Sequence, residues 1–303
     1  MNRKIENVAI VGAGVLGTQI ALQAAYHGCD VTTFDLNPKS FDQMLGVIET
    51  RLRNSGRTPF PAFAAMNEME KKVRRHGKLA DALEGRQLII EAVREDVGVK
   101  REVFGEIDRL APKEAILATN SSSIPISRIE SATGRPEKCL NIHFYSLDLG
   151  RNIVDLMGGT KTAPETLAAA KDWVRSIGCI PLTVKKEILG FCFNRIWRAV
   201  KRDALHMWAE GYVDYRDIDR GWMVWTGMAA GPFGFMDNVG LDVVYDIETV
   251  YYNESKDPSD RPPPALKEMI DRQDLGVKTG RGFYRYPNPE YRRPEFLHGE
   301  EED

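Results

Sequence analysis

Short apolar runs and amphipathic stretches alternate along the first 184 residues of the chain. A run at 8–11 is followed by a helical stretch that stops at Gly28 and by a second run that ends at Asp35. Later runs occupy 87–93, 115–119, 139–144, 152–157 and 179–184. Strands that alternate with helices predict a doubly wound, mostly parallel sheet.

Beyond residue 187 the apolar positions change to helical spacing. Helices are predicted around 188–211, 215–226, 242–253 and 264–272. We therefore expect an α/β domain over 1–186 and an all-helical domain over 187–287, whose apolar face is a candidate surface for homodimer formation. The last residues, 288–303, are polar, contain prolines and end in Glu-Glu-Asp, so we expect them to be disordered.

The turn after the first predicted strand has the spacing of a dinucleotide-binding motif. Its members are Gly12, Gly14, Val15, Leu16 and Gly17. In a Rossmann-type turn such glycines permit the sharp bend, admit a pyrophosphate and let the next helix pack closely. Asp35 lies 18 residues after Gly17, where a carboxylate accepts the ribose hydroxyls and repels a 2′-phosphate. These features predict NAD as the cofactor; a tight turn in an unrelated α/β protein is the alternative.

Size and composition narrow the class of protein. The chain has 303 residues, enough for two domains with substantial cores, and its net charge of −3 gives no reason to expect nucleic acid. No apolar run approaches the roughly 20 residues that span a bilayer, and no signal peptide is evident, so we expect a cytoplasmic protein without a membrane partner. The four cysteines lie far apart without metal-ligand spacing, which predicts no bound metal.

Residues 51–78 form a basic stretch that interrupts the alternation. Its cationic residues are Arg51, Arg53, Arg57, Lys71, Lys72, Arg74, Arg75 and Lys78. Only Glu68 and Glu70 oppose them. We interpret the stretch as a basic helical insertion that holds the phosphates of a second, anionic ligand; the alternative is an ordinary solvated helix surface.

Polar residues stand where several predicted strands end, the edge at which open α/β sheets bind ligands. Glu95, Asn120 and Ser122 follow two of the apolar runs, and His143 lies at the end of a third. Asp155 comes 12 residues after His143, so a hairpin-like return would bring its carboxylate to the imidazole. A histidine held by a carboxylate suits a general base. A structural histidine is the alternative.

At these positions the chain resembles the 3-hydroxyacyl-CoA dehydrogenase family over nearly its whole length. The motifs that carry the resemblance are Glu91-Ala-Val-Arg-Glu95, Thr119-Asn-Ser-Ser-Ser123, His143-Phe144, Gly190-Phe-Cys-Phe-Asn194, Gly231-Pro-Phe233, Asp237-Asn-Val-Gly-Leu-Asp242 and Lys278-Thr-Gly-Arg-Gly-Phe-Tyr284. The resemblance implies a Rossmann-type domain with an extra basic helical hairpin, followed by a helical domain that dimerises. It also implies NAD-dependent interconversion of a 3-hydroxyacyl-CoA and a 3-oxoacyl-CoA.

The resemblance further implies roles for individual residues. His143 would be the catalytic base, and Asp155, where the family usually has Glu, would orient it. Ser122 and Asn194 would bind the substrate oxygen. Besides Asp35 and the glycine turn, contacts to NAD are implied for Glu95, Lys100, Asn120, Ser122, Ser146 and Lys278. The basic insertion, with Arg51 and Arg57, would hold the phosphates of coenzyme A.

Departures from the family pattern leave the substrate open. Tyr145-Ser146-Leu147 stands where the family usually has Phe-Asn-Pro, and Asp155 is one methylene shorter than Glu. Trp222 and Trp225 suggest a cyclic or aromatic acyl group or, alternatively, packing in a core or dimer interface. A dehydrogenase of a free hydroxy acid such as gulonate or carnitine and a non-catalytic, crystallin-like NAD-binding protein are the other interpretations.

Overall fold

The structure is a computed structural model that describes residues 4–54, 63–145 and 152–299. It divides into two compact units, Met1–Cys192 and Phe193–Asp303. None of the described helices combines the length and the apolarity that crossing a bilayer requires.

The first unit is built on an eight-stranded sheet within the described residues. The strands are β1 Asn7–Val11, β2 Asp30–Phe34, β3 Val73–His76, β4 Leu88–Glu91, β5 Ile116–Thr119, β6 Cys139–Phe144, β7 Ile153–Gly158 and β8 Ile180–Val184. Their order in the sheet is β3-β2-β1-β4-β5-β6-β7-β8. The pairing of β6 with β7 is antiparallel, and every other pairing is parallel. This confirms the predicted doubly wound fold.

Helices cover both faces of this sheet. They are α1 Val15–Tyr26, α2 Ser40–Asn54, α3 Phe63–Lys72, α4 Leu79–Leu83, α5 Val97–Leu110 and α6 Pro164–Ser176. Alternate residues of a strand point to opposite faces, so β1 contributes Val8 and Ile10 to one apolar core and Ala9 and Val11 to another. Because both faces are buried, ligands are restricted to the edge formed by the carboxyl ends of the parallel strands.

The basic insertion differs in part from the prediction. Residues 51–78 were expected to be helical, but β3 pairs in parallel with β2 at the outer edge of the sheet. Val73 is buried, while Arg74 and Arg75 are exposed. Charged residues suit an edge strand because they discourage pairing with another chain. Because Arg74 and Arg75 lie within β3, this strand lacks the apolar run by which the other strands were predicted.

The described part of the second unit is helical, as predicted. It contains α7 Phe193–Ala209, α8 Tyr215–Thr226, α9 Pro232–Val239, α10 Leu241–Ser255 and α11 Pro264–Asp271. Phe233, Met236 and Tyr284 are at most 1 % exposed and lie at the centre of its core.

The expected disordered tail requires correction over residues 288–299. Tyr291 and Phe296 are buried in the core of the second unit, and Glu290 forms an ion pair with Arg216 at 2.9 Å. Arg220 donates a hydrogen bond to the carbonyl oxygen of Phe296 at 2.6 Å. The prediction of disorder rested on the charge and proline content of the segment. Burial of the Tyr291 and Phe296 rings in the core holds the segment in place in spite of both.

Two buried carboxylates organise the second unit and predict a pH-dependent stability. Asp219 accepts hydrogen bonds from the amides of Phe233 and Gly234 at the start of α9, and Asp237 accepts from the amides of Phe283 and Tyr284. Burial raises the pKa of both carboxyl groups to about 6. Each group therefore binds a proton more tightly when folded than when unfolded.

The free energy of unfolding should consequently decrease as the pH rises through about 6, and increase on acidification from pH 7.5 to 5. We expect a gain of about 1.4 kcal/mol from each carboxyl group, measurable by urea denaturation of the full chain at both pH values. In the Asp219→Asn/Asp237→Asn variant this gain should vanish. An unchanged pH dependence in that variant would contradict the assignment.

Candidate active site

In the glycine turn after β1, two glycines are packed against backbone atoms and the third has free space beside it. Gly12 has a φ of +102°, and a Cβ there would lie 2.6 Å from the carbonyl oxygen of Ala92. A Cβ on Gly17 would lie 1.9 Å from the carbonyl oxygen of Gly12. A Cβ on Gly14 would meet no described atom within 4 Å. Packing therefore requires glycine at positions 12 and 17, while Gly14 leaves the backbone accessible to a ligand.

Helix α1 begins directly after this turn. Val15 and Leu16 are its first residues, no side chain caps it at Gly14, and its first turn contains no acidic residue. The first amides of a helix lack intrahelical partners and lie at the positive end of the helix dipole. This turn therefore fits the diphosphate of a dinucleotide.

Asp35 follows β2 at the same edge of the sheet. Its Oδ2 accepts a hydrogen bond from the amide of Ala13 at 2.7 Å, and its Oδ1 accepts from the amide of Asn37 and the hydroxyl of Ser40. A carboxylate has about four acceptor positions, so it can still accept from a ribose hydroxyl. The adjoining pocket is lined by Ala13, Thr33, Asp35, Asn37, Pro38, Phe41, Arg75, His76 and Gly77. The pocket suits an adenosine moiety.

A buried ionic network lies between β4 and α5. Glu91 and Lys100 are at most 1 % exposed, and the ammonium of Lys100 is 2.7 Å from Oε1 of Glu91. Thr119 donates to the other oxygen of Glu91 at 2.7 Å. The same ammonium is 3.3 Å from Oε2 of Glu95, so Lys100 acts on the site through Glu95. Its direct contact with NAD stays a prediction. Glu91 belongs to a family motif in the sequence, but no role was predicted for it.

Glu95 is held by the loop that follows β5. It accepts hydrogen bonds from the hydroxyl of Ser121 and from the amide and hydroxyl of Ser123. Burial alone would raise the pKa of Glu95, but the charge of Lys100 and these hydrogen bonds outweigh burial and lower that pKa. Glu95 is therefore an anion at neutral pH. Its side chain is 37 % exposed, which leaves it accessible to a ligand.

Ser122 lies between these two serines and differs from both. Its side chain is exposed, and no hydrogen bond joins it to another described residue. Asn120, two residues earlier in the same loop, is buried, and its Oδ1 accepts a hydrogen bond from the amide of Phe144 at 2.9 Å. Asn120 therefore connects this loop to the end of β6, while the hydroxyl of Ser122 is exposed, and its contact with a substrate or cofactor stays a prediction.

His143 and Asp155 lie directly opposite each other in the antiparallel pairing of β6 and β7. The two side chains are 5 % and 0 % exposed, and Nδ1 of His143 is 3.7 Å from Oδ2 of Asp155. A charge-assisted hydrogen bond would measure about 2.7–2.9 Å. The carboxylate therefore faces the imidazole, as predicted, but stops short of hydrogen-bonding distance. The shorter side chain of aspartate accounts for the gap.

Two aromatic rings hold the imidazole of His143. The ring of Phe191 stacks on it with centroids 5.0 Å apart, and the ring of Tyr145 meets it edge-on at 4.4 Å. Phe191 is buried and has a φ of +52°, which is rare for a residue with a side chain. Its backbone is therefore strained at the site. The sequence motif contained Phe191 without indicating this role.

The remaining predicted site residues belong to the second unit or are not fully described by the structure. Asn194 is the second residue of α7, and Lys278 pairs with both oxygens of Asp242 at 2.5 Å; both belong to the second unit. Ser146 and Arg57 fall outside the described residues, and the side chain of Arg51 is also not among those described. Their roles stay predictions.

Several cations of the basic insertion are already paired. Lys71 contacts Glu68 at 2.7 Å, Arg74 contacts Asp30 at 2.7 Å, and Arg75 contacts Glu70 and Asp42. These pairs neutralise part of the charge that was expected to hold phosphates. The phosphate-binding interpretation consequently depends on the other cations of the insertion, which include Lys72 and Lys78 as well as the arginines near the end of α2.

Comparison with known proteins agrees with this geometry. The family model described as 3-hydroxyacyl-CoA dehydrogenase, NAD binding domain, matches residues 7–188. The model described as 3-hydroxyacyl-CoA dehydrogenase, C-terminal domain, matches residues 190–286. The chain therefore belongs to the 3-hydroxyacyl-CoA dehydrogenase family and is an NAD-dependent oxidoreductase.

Individual relatives differ in the substrates that their names give. The chain is 31 % identical to a 5-formyl-3-hydroxy-2-methylpyridine 4-carboxylate 5-dehydrogenase from Mesorhizobium japonicum, over 93 % of this chain and 91 % of the relative. It is 32 % identical to a 3-hydroxybutyryl-CoA dehydrogenase from Mycobacterium tuberculosis, over 94 % and 100 %. The solved structure of an (S)-3-hydroxybutyryl-CoA dehydrogenase from Ralstonia eutropha matches with a TM-score of 0.81 at 29 % identity, over 94 % and 100 %.

Proposed function

We propose that this protein reversibly oxidises a 3-hydroxyacyl-CoA to the 3-oxoacyl-CoA, with His143 as the general acid and base. The observation that carries the proposal is the buried imidazole of His143 facing Asp155 near the carboxyl end of β6. That end of β6 lies at the same edge of the parallel strands as the glycine turn and Asp35. A proton acceptor and a nicotinamide site at one edge are what alcohol oxidation requires.

In the proposed mechanism His143 removes the proton of the substrate hydroxyl. Because Nδ1 faces Asp155, the proton moves through Nε2. Asp155 supplies a negative charge that stabilises the imidazolium, and the stacked ring of Phe191 fixes the orientation of the imidazole. Bound NAD supplies the hydride acceptor. Ser122 and Asn194 donate hydrogen bonds to the substrate oxygen on which charge develops.

For the substrate we propose a coenzyme A thioester with a cyclic or aromatic acyl group. Trp225 is 87 % exposed and so does not serve the core of its unit. The pyridine ring in the name of the Mesorhizobium relative is consistent with an aromatic substrate. We also propose that the protein is a cytoplasmic homodimer, since Val243, Ile247 and Val250 form an exposed apolar row on α10.

A free carboxylate is the second candidate substrate. The same relative is named for a pyridine carboxylate that carries no thioester, and the ion pairs in the basic insertion leave fewer cations for the phosphates of coenzyme A. Assays of NADH formation with straight-chain, cyclic and aromatic 3-hydroxyacyl-CoAs and with the matching free acids test both candidates. Oxidation of the free acids alone would overturn the thioester proposal.

The Arg51→Ala/Arg57→Ala variant tests how the thioester is held. We expect its KM for the acyl-CoA to rise about tenfold, the equivalent of about one lost charge-assisted contact, while its KM for NAD stays unchanged. Lys71→Ala is the matched control, because Lys71 lies in the same insertion but is paired with Glu68. If the KM for the acyl-CoA were the same in both variants, the two arginines would not contribute to binding coenzyme A.

A further inference from the structure

The carboxylate that should support His143 is itself held by a tyrosine. The hydroxyl of Tyr145 donates a hydrogen bond to Oδ2 of Asp155, the same oxygen that lies 3.7 Å from Nδ1 of His143. Tyr145 is two residues beyond His143, so both side chains emerge on the same side of the chain as it leaves β6. The three groups therefore form one contiguous cluster.

The buried polar atoms of His143 and Asp155 have few hydrogen-bond partners among the described residues. Asp155 is fully buried, and its Oδ1 has no hydrogen-bond partner among the described residues. Nδ1 of His143 is likewise buried without a partner in the described part of the chain. A buried carboxylate needs donors to remain ionised, because desolvation favours its neutral form. The donor that the described structure provides is the hydroxyl of Tyr145.

We propose that Tyr145 is a positioning residue of this active site, which acts by holding Asp155 as an anion with Oδ2 aimed at the imidazole. This inference rests on the proposed function of His143. Without a hydrogen bond to His143, the carboxylate acts through its charge, and a charge 3.7 Å away in a buried site interacts strongly with an imidazolium. Tyr145 thus compensates for the short reach of aspartate.

Few other groups act on the pair. Phe191 stacks on the imidazole, and Leu182 pairs with Asp155 on β8; neither carries a charge. Within the described contacts, the titratable neighbours of His143 are therefore Asp155 and Tyr145. This makes the pH dependence of the reaction a direct measure of the cluster.

The test is the Tyr145→Phe variant, which keeps the ring and removes the hydroxyl. We expect kcat/KM to fall about 10- to 100-fold. The acid limb of its pH profile should move down by about one pH unit, because a neutral Asp155 no longer stabilises the imidazolium. Tyr212→Phe is the control, since Tyr212 is 75 % exposed, and it should leave rate and profile unchanged. An unaltered pH profile in Tyr145→Phe would overturn the proposal.

A rescue experiment separates positioning from general damage. Glutamate is longer than aspartate by about 1.5 Å, enough to bring its carboxylate within hydrogen-bonding distance of Nδ1. The Tyr145→Phe/Asp155→Glu variant should therefore recover kcat/KM to within about threefold of the wild type. A double variant as slow as Tyr145→Phe alone would count against the proposal.

One further measurement does not depend on any substrate. The pH dependence of the His143 imidazole signals, followed by nitrogen-15 NMR of the free protein, should shift to lower pH in Tyr145→Phe relative to the wild type. A wild type that is inactive on all hydroxyacyl compounds yet shows this shift would sink the proposed function and leave the cluster intact. The same pH dependence of these signals in both proteins would overturn the role of Tyr145. NAD binding, unchanged in both, would show that the variant is folded.

Discussion

Replacing His143 with glutamine is expected to lower kcat by about 10²–10⁴-fold while NAD binds as in the wild type. General acid–base catalysis by a positioned side chain contributes a factor of this size, and glutamine cannot take up the proton. Glutamine is preferred to alanine because His143 is buried between the rings of Phe191 and Tyr145, where a smaller side chain would leave a cavity. Steady-state rates of NADH formation and calorimetric titration with NAD measure the two quantities.

The control for this experiment is His298→Ala, because His298 is exposed. It should retain full activity. The acid limb of the pH profile of kcat/KM should disappear in His143→Gln and persist in the control. Equal turnover of His143→Gln and the wild type would refute the role of His143 as the base.

Replacing Gly14 with alanine should weaken NAD binding about 100-fold without destabilising the protein. The new methyl group would meet no described atom within 4 Å, but it would stand in the opening through which a diphosphate reaches the amides of α1. Loss of one or two charge-assisted hydrogen bonds corresponds to about 2–3 kcal/mol of binding free energy. Fluorescence titration with NADH and urea denaturation measure affinity and stability separately.

Gly17→Ala provides the contrast within the same motif. A Cβ there would lie 1.9 Å from the carbonyl oxygen of Gly12, so the helix must move away from the turn. We expect the free energy of unfolding to fall by about 3 kcal/mol. If Gly14→Ala destabilised the protein as much as Gly17→Ala, the opening at Gly14 would be a packing position rather than a ligand site.

The positions where strands end were predictable because local patterns report them. The runs before Asn120 and His143 are mostly apolar, and these polar residues mark where each run ends. The edge strand β3 was not predictable in this way, since Arg74 and Arg75 interrupt its apolar pattern. Its place depends on pairing with β2, a contact between residues distant in sequence.

The distances that decide the chemistry of the site were also beyond prediction. The pairing of His143 with Asp155 followed from their spacing, but the 3.7 Å gap and the hydrogen bond from Tyr145 depend on how side chains pack between strands. The strained backbone of Phe191 and the ionic network of Glu91 and Lys100 arise in the same way. None of these features produces a periodic pattern of residues in the sequence.

The sequence by itself determined the α/β and helical halves, NAD as the cofactor and the membership of the dehydrogenase family, because these depend on local patterns and short motifs. Tertiary structure alone decided which cations of the insertion are already paired, which groups surround the imidazole of His143, and that residues 288–299 pack against the helical core. These properties depend on contacts between residues far apart in the chain. Burial and hydrogen bonding set their energies only after the chain has folded.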